Sequence, residues 1–223
     1  MSLARNAILA RLKKRTNAPE NKPLTPCHHE KKQLSTAQCK ALFIEKLREN
    51  RAEAHSVTQK NWKETLVKIA VDRQLNTWLL GGNLPEITQA ATALSSASST
   101  LSLIQYTQAY ETLKSSLFHD VEASLTMAKA GIAETGTLVL VPDQHEPRMM
   151  SLTPPIHVVI IKSCDIKDSF EQLLDDPSWP SPPMPSNIVF ISSPSKTADI
   201  QQTLAYGAHG PKDLIVLILS QEK

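Results

Sequence analysis

Four stretches of this chain hold side chains that can do chemistry where strands meet loops. In GIAETGTLVL (131–140), Glu134 lies between a small-residue run and a β-branched run that reads as a buried strand, followed by Thr135, Gly136 and Thr137. A carboxylate there either points into a cleft as acid, base or nucleophile, or ties down the backbone donors of its own loop. In ISSPSKTADIQQTL (191–204), Ser193 and Pro194 make a good helix start, and Ser195, Lys196, Thr197 and Asp199 follow. A helix N-terminus offers free N–H groups and a positive dipole end, so the segment reads either as an anion site or as a well-capped helix. The G-x-x-x-x-G-K prefix of a P-loop is missing. In GAHGPKDL (207–214), His209 and Gly210 sit in a tight turn feeding a strand. In EPRMMSLTPPIHVV (146–159), Arg148 is the last arginine of the chain, suiting a carboxylate ligand or a buried acid. His157 there lies inside an apolar strand and reads first as a satisfied core histidine. CHHE (27–30) with Cys39 fits no zinc or iron–sulfur spacing, so no metal site is expected.

These groups need a frame. The spacing predicts an amphipathic helix over residues 2–14 and a proline-bearing linker over 16–33. Helices are expected over 36–50, 61–74, in PEITQAATAL, in QAYETLKSSL, as a short helix closed by Gly136, in IKDSFEQLLDD and in SKTADIQQTLA. Strands are expected at 52–57, 76–81, 100–106, 121–126, 137–141, 154–162, 188–191 and 214–219. The last strands are nearly apolar throughout, as strands covered on both faces are. The expectation is an α/β domain over 35–223, with a mostly parallel sheet, helices on both faces and the site at the carboxyl ends of strands, preceded by a helical arm and linker over 1–34.

Composition narrows the function classes. Hydrophobic residues are 41% and charged residues 21% of the 223, ordinary for a globular chain. No apolar run reaches the roughly 18–20 residues of a membrane span, and the basic N-terminus lacks the apolar core of a secretory signal. Three cysteines without a paired motif suit a reducing compartment, so the cytoplasm is the expected location. Residues 1–75 hold 16 Lys and Arg against 7 Asp and Glu; the rest holds 8 against 15. Acids are interspersed among the basic residues, which argues against nucleic acid and for an arm docking on an acidic surface.

AGIAETGTLVL, EPRMMSLTPPIHVVII and ISSPSKTADIQQTLAYGAHGPKDLIVLIL together resemble the lactate utilization protein C family, or LUD domain. The resemblance covers about 120–219. Ser193, Lys196 and Gln201 depart from that family's usual glycine, arginine and acid. The resemblance implies a NagB/RpiA/CoA-transferase-like fold and a part in oxidising L-lactate to pyruvate alongside A- and B-type iron–sulfur proteins. It implies that the clusters sit in those partners, that this chain binds no cofactor of its own, and that the cleft holds a small carboxylate. On it, Glu134, Arg148, His157, Ser195, Thr197, Asp199 and His209 become candidate site residues, with Arg148 pairing a carboxylate and His209 accepting a proton. Two other readings stay open: a CoA-transferase or isomerase using Glu134, and a non-catalytic scaffold holding its partners through the N-terminal helix. A homo-oligomer is also left open.

Overall fold

The computed structural model describes residues 3–16, 34–98, 100–106, 110–177, 179, 185–198, 204–206 and 209–220. It divides into two compact units, Met1–Gln33 and Leu34–Lys223. In the first, α1 (Leu3–Thr16) leaves Ile8, Leu9 and Leu12 exposed.

In the second unit, α2 (Thr36–Glu49) opens on a capping box: Ser35 Oγ accepts from the Gln38 N–H, and Gln38 reaches back to the Ser35 N–H. There follow β1 (Glu53–Thr58), α3 (Trp62–Asp72), β2 (Thr77–Leu80), α4 (Pro85–Ala97), β3 (Ser102–Gln105), α5 (Tyr110–His119) and β4 (Ala123–Met127). Pro85 stands at the start of α4, where a missing N–H costs nothing. The second half adds β5 (Ala130–Ile132), β6 (Thr137–Leu140), β7 (Ile156–Lys162), β8 (Ile166–Lys167), α6 (Phe170–Leu174), β9 (Val189–Ile191), β10 (Lys196–Ala198), β11 (Leu204–Tyr206) and β12 (Asp213–Ser220).

Six strands form one sheet in the order β1-β12-β7-β4-β2-β3, and every pairing in it is parallel. Their apolar runs follow from two covered faces. On one face α3 and α4 bury Leu66, Ile69, Ile87 and Leu94 against Trp78, Leu125, Val158 and Leu217. The other face is shared: α5 covers Leu79, while α2 and a four-stranded sheet, β8-β5-β6-β9, cover Val159, Ile161, Val216 and Ile218. The expected mostly parallel α/β architecture is present, with a small sheet in place of some of the helices on that second face.

Two expected helices are absent. The segment ending at Gly136 is β5 and a turn, paired antiparallel with β6. Gly136 takes φ +64°, and a Cβ there would come within 2.8 Å of the Leu47 backbone N at the end of α2, so the hairpin can lie on α2 only with glycine at that position. The segment after Pro194 is β10 paired antiparallel with β11, so Ser193 and Pro194 start no helix and supply no helix dipole.

Candidate functional site

Between the apolar cluster under α5 and the one under α2, the second face of the main sheet carries a polar strip. Ser124 and Thr126 of β4 and His157 of β7 alternate with core residues and point to this face; all three are buried. A short 3₁₀ turn, Arg148–Ser151, lies over them, and Ser124 Oγ donates to the Met150 carbonyl at 2.6 Å. Thr126 Oγ1 and His157 Nε2 are 2.8 Å apart. His157 Nδ1 is buried and has no hydrogen-bond partner among the described residues.

That orphan atom fixes the tautomer. With the proton on Nε2, Thr126 would accept it, leaving its own hydroxyl proton and a bare Nδ1 both unpaired. With the proton on Nδ1, Thr126 donates to Nε2 and only one N–H is left over. The second arrangement leaves fewer buried groups unsatisfied, each worth about 1–3 kcal/mol. Burial holds the imidazole pKa down to about 3, so the ring is neutral at physiological pH.

His157 lines a cleft of about 430 Å³. Ser151 and Leu152 form one wall, β9 with Ser192, Ser193, Pro194 and Ser195 a second, and His209, Gly210 and Pro211 a third. Ser195 N donates to the Pro211 carbonyl at 2.8 Å, tying two walls together. A Cβ on Gly210 would meet Ser195 Cβ at 3.2 Å, so this close approach of the walls favours glycine. Ser193 Oγ donates to the Pro194 carbonyl at 2.9 Å. Behind the second wall, Thr135, Thr137 and Ser192 form a chain of hydroxyls with contacts of 2.6 and 2.8 Å. The cleft therefore combines serine hydroxyls, of which those of Ser151 and Ser193 already donate to carbonyls, with an exposed histidine and, behind its wall, a buried neutral imidazole N–H.

Of the residues singled out from sequence, His157, Ser193, Ser195, His209 and Gly210 come together here. Thr137 reaches the cleft through Ser192, and Thr135 through Thr137. Lys196 and Thr197 follow directly on β10, where only the backbone is described, and Asp199 lies outside the described residues. Glu134 is not in the cleft lining. It is exposed in the β5–β6 turn, where its N–H donates to the Asp168 carbonyl at 3.0 Å; Gly136 beside it is buried against α2. Arg148 is exposed on the 3₁₀ turn and borders a separate small cavity, of about 10 Å³, that shares Ser151 with the cleft. The cleft also lies beside the amino-terminal residues of β7 and β12, His157 and Leu214, rather than at the carboxyl ends. The order of loops explains it: the 192–195 and 209–212 segments both precede β12 and so reach its start.

Sequence reading passed over Ser151, Ser192, Thr126 and Glu146. Ser124 and Thr126 did carry a signal, polar residues alternating with apolar ones within a strand. Glu146 carried none, because its burial depends on how a loop folds back over β2 and β4. Its Oε1 accepts from the Met127 N–H at 2.6 Å, and burial, reinforced by the neighbouring Asp143 carboxylate, pushes its pKa up to about 7. No group of three or more His, Cys, Asp or Glu suited to a metal occurs among the described residues. No described helix is long and apolar enough to cross a membrane.

Comparison with known proteins meets this geometry from another side. The chain is 34% identical to an uncharacterized protein of Neisseria meningitidis serogroup B, over 97% of this chain and 93% of that protein. It is 30% identical to lactate utilization protein C 1 of Bacillus mycoides over 45% of this chain, a match spanning only 44% of that relative. Among solved structures, a DUF162 family protein from Deinococcus radiodurans superposes with a TM-score of 0.62 at 18% identity, covering 83% of this chain and 99% of the other, which shows a shared fold. The LUD domain profile matches residues 40–219, the span that builds both the parallel sheet and the cleft, and the chain therefore belongs to the LUD domain family.

Proposed function

We propose that this chain is the C-type component of an L-lactate utilization system, working with A- and B-type iron–sulfur partners in the oxidation of L-lactate to pyruvate. Its cleft holds a small carboxylate or the oxygen of a related anion. Relatives named lactate utilization protein C support the pathway. The observation that carries the ligand class is His157 Nδ1, a buried donor without a partner among the described residues, on a cleft that also presents Ser192, Ser193 and Ser195 among apolar residues. Neutral donors receive an oxyanion without the cost of burying a fixed countercharge. In this reading His209, which is exposed and lines the cleft, accepts the proton. The electrons removed from lactate pass to the partners' clusters in this scheme. The alternative of acyl transfer through Glu134 has no support in the geometry, since that carboxylate lies in an exposed turn outside the cleft lining.

Growth on L-lactate tests the reading. A strain lacking the gene should fail to grow, and the wild-type gene should restore growth. Ser195→Ala combined with His157→Leu should not restore it, provided the variant is folded and present at wild-type level. Glu134→Gln should restore it fully. Rescue by the double variant, or normal lactate growth of the deletion strain, would overturn the proposal.

A further inference from the structure

The parallel sheet reverses direction between β2 and β4: β3 lies on the outer side of β2, while β4, β7 and β12 follow on the other. Sheets wound this way take ligands at the carboxyl ends of the strands flanking that reversal. The cleft around His157 does not lie there. What lies there is the 141–147 loop, and it is built tightly. Gly82 N donates to the His145 carbonyl at 2.9 Å. Asp143 Oδ1 accepts from the N–H groups of His145 and Glu146, each at 2.8 Å. A Cβ on Gly81 would meet Glu146 Cγ at 2.8 Å, so the aliphatic stem of Glu146 lies directly over the end of β2. Its carboxyl, anchored through Oε1 to the end of β4, faces a second cleft of about 390 Å³.

We propose that this second cleft binds a small monocarboxylate together with one proton, shared between the ligand's carboxylate and Glu146 Oε2, with Lys129 supplying the countercharge. The other charges facing Glu146 are already engaged. Lys162 pairs with Glu86 at 2.9 Å, and Lys167 pairs with Asp176. Asp143 is committed to its own loop. Asp165, on the 3₁₀ turn after β7, accepts from the Cys164 thiol and lies beside Lys162, whose charged form its carboxylate favours. His145 is hydrogen-bonded to Gln144, and Arg148 lines the small cavity that Glu146 also borders, not this cleft. What is left for a ligand is one carboxyl and one ammonium, the complement of a single negative charge. A phosphate dianion would need more donors than these. The apolar wall of Leu84, Met127, Leu173 and Trp179 suits a short alkyl or acyl group. No covalent bond forms or breaks; the proton is already on Glu146 at low pH and comes from solvent at high pH. The raised Glu146 pKa agrees with this.

Dicyclohexylcarbodiimide, which attacks protonated carboxyls in apolar surroundings, tests the inference on the full chain, with the adduct located by peptide mass spectrometry. Labelling at Glu146 is expected at pH 6 and should fall roughly tenfold by pH 8. Sodium acetate should protect Glu146 and inorganic phosphate should not. Lys129→Met should keep the labelling and lose the protection, while Ser195→Ala, in the other cleft, should keep both. The inference does not rest on the lactate reading: it fails if acetate gives no protection, if phosphate protects equally, if labelling ignores pH, if Lys129→Met remains protected, or if Ser195→Ala abolishes protection.

Discussion

Two titratable side chains, the buried His157 and the partly buried Glu146, tilt the pH dependence of stability in opposite directions. His157 titrates near 3 in the folded chain and near 6.5 when unfolded. Between those values the unfolded chain holds a proton that the folded chain lacks. Stability from this residue is therefore complete above about 6.5 and drains away on acidification, by about 1.4 kcal/mol per pH unit. Glu146 titrates near 7 when folded against about 4.5 when unfolded. In that window the folded chain holds the extra proton, so stability drains away as pH rises, and the penalty is complete above about 7. The two slopes oppose each other between about 4.5 and 6.5. Thermal melts should show a nearly level contribution across pH 5–6.5 in the wild-type chain. Glu146→Gln should melt lower on acidification through that window and higher than wild type at pH 8; superimposable pH profiles of the two proteins would contradict this account. At this scale sequence shows identity and not depth. His157 stood out as a histidine in an apolar strand, but its orphan Nδ1 follows from Thr126, one strand away. Glu134 read either as a cleft carboxylate or as a tie for its own loop, and the β5–β6 turn leaves it exposed.

At the scale of elements, the β5–β6 hairpin joins α2 to the cleft. Its Thr135 carbonyl accepts from Asn50 Nδ2 at 3.2 Å, its glycine abuts the last turn of α2, and its Thr137 holds Ser192. Gly136→Ala would force a Cβ against Leu47 N and Lys46 C, both at 2.8 Å, and would place alanine at φ +64°. The left-handed conformation alone costs on the order of 1–2 kcal/mol, and backbone on the facing side cannot yield as a side-chain tip would. Urea denaturation should show a loss of at least that size with an unchanged slope. Gly210→Ala, facing a side-chain carbon at 3.2 Å with ordinary backbone angles, should cost less. The parallel strands were legible because their apolar runs report burial on two faces. The hairpins were not. Small residues before Gly136 and a Ser-Pro pair before Lys196 are good local helix signals, but each segment lies beside a strand that offers it ladder hydrogen bonds, and tertiary pairing overrides weak propensity.

For the whole molecule, the division into Met1–Gln33 and Leu34–Lys223 separates two tasks. All of the described core clusters lie in the second unit, from Cys39 of α2 to Leu219 of β12. Its first residue is already tied in, with the Leu34 N–H donating to Asp168 Oδ2 at 2.8 Å while Cys39 Sγ donates to Asp168 Oδ1 at 2.6 Å. Removing residues 2–33 should therefore leave cooperative unfolding intact, with Tm within about 2 °C of the full chain, because the described core clusters are built from the second unit's own residues. The first unit contributes a helix with Ile8, Leu9 and Leu12 exposed beside Arg5 and Arg11. In the lactate reading, that helix carries apolar surface and positive charge toward an acidic partner. Co-purification with the A- and B-type proteins should then be lost in the shortened chain although its melting curve is unchanged. Retention of the partners by residues 34–223 would move the docking surface onto the α/β body, and a collapse of Tm would show that the arm is part of the core.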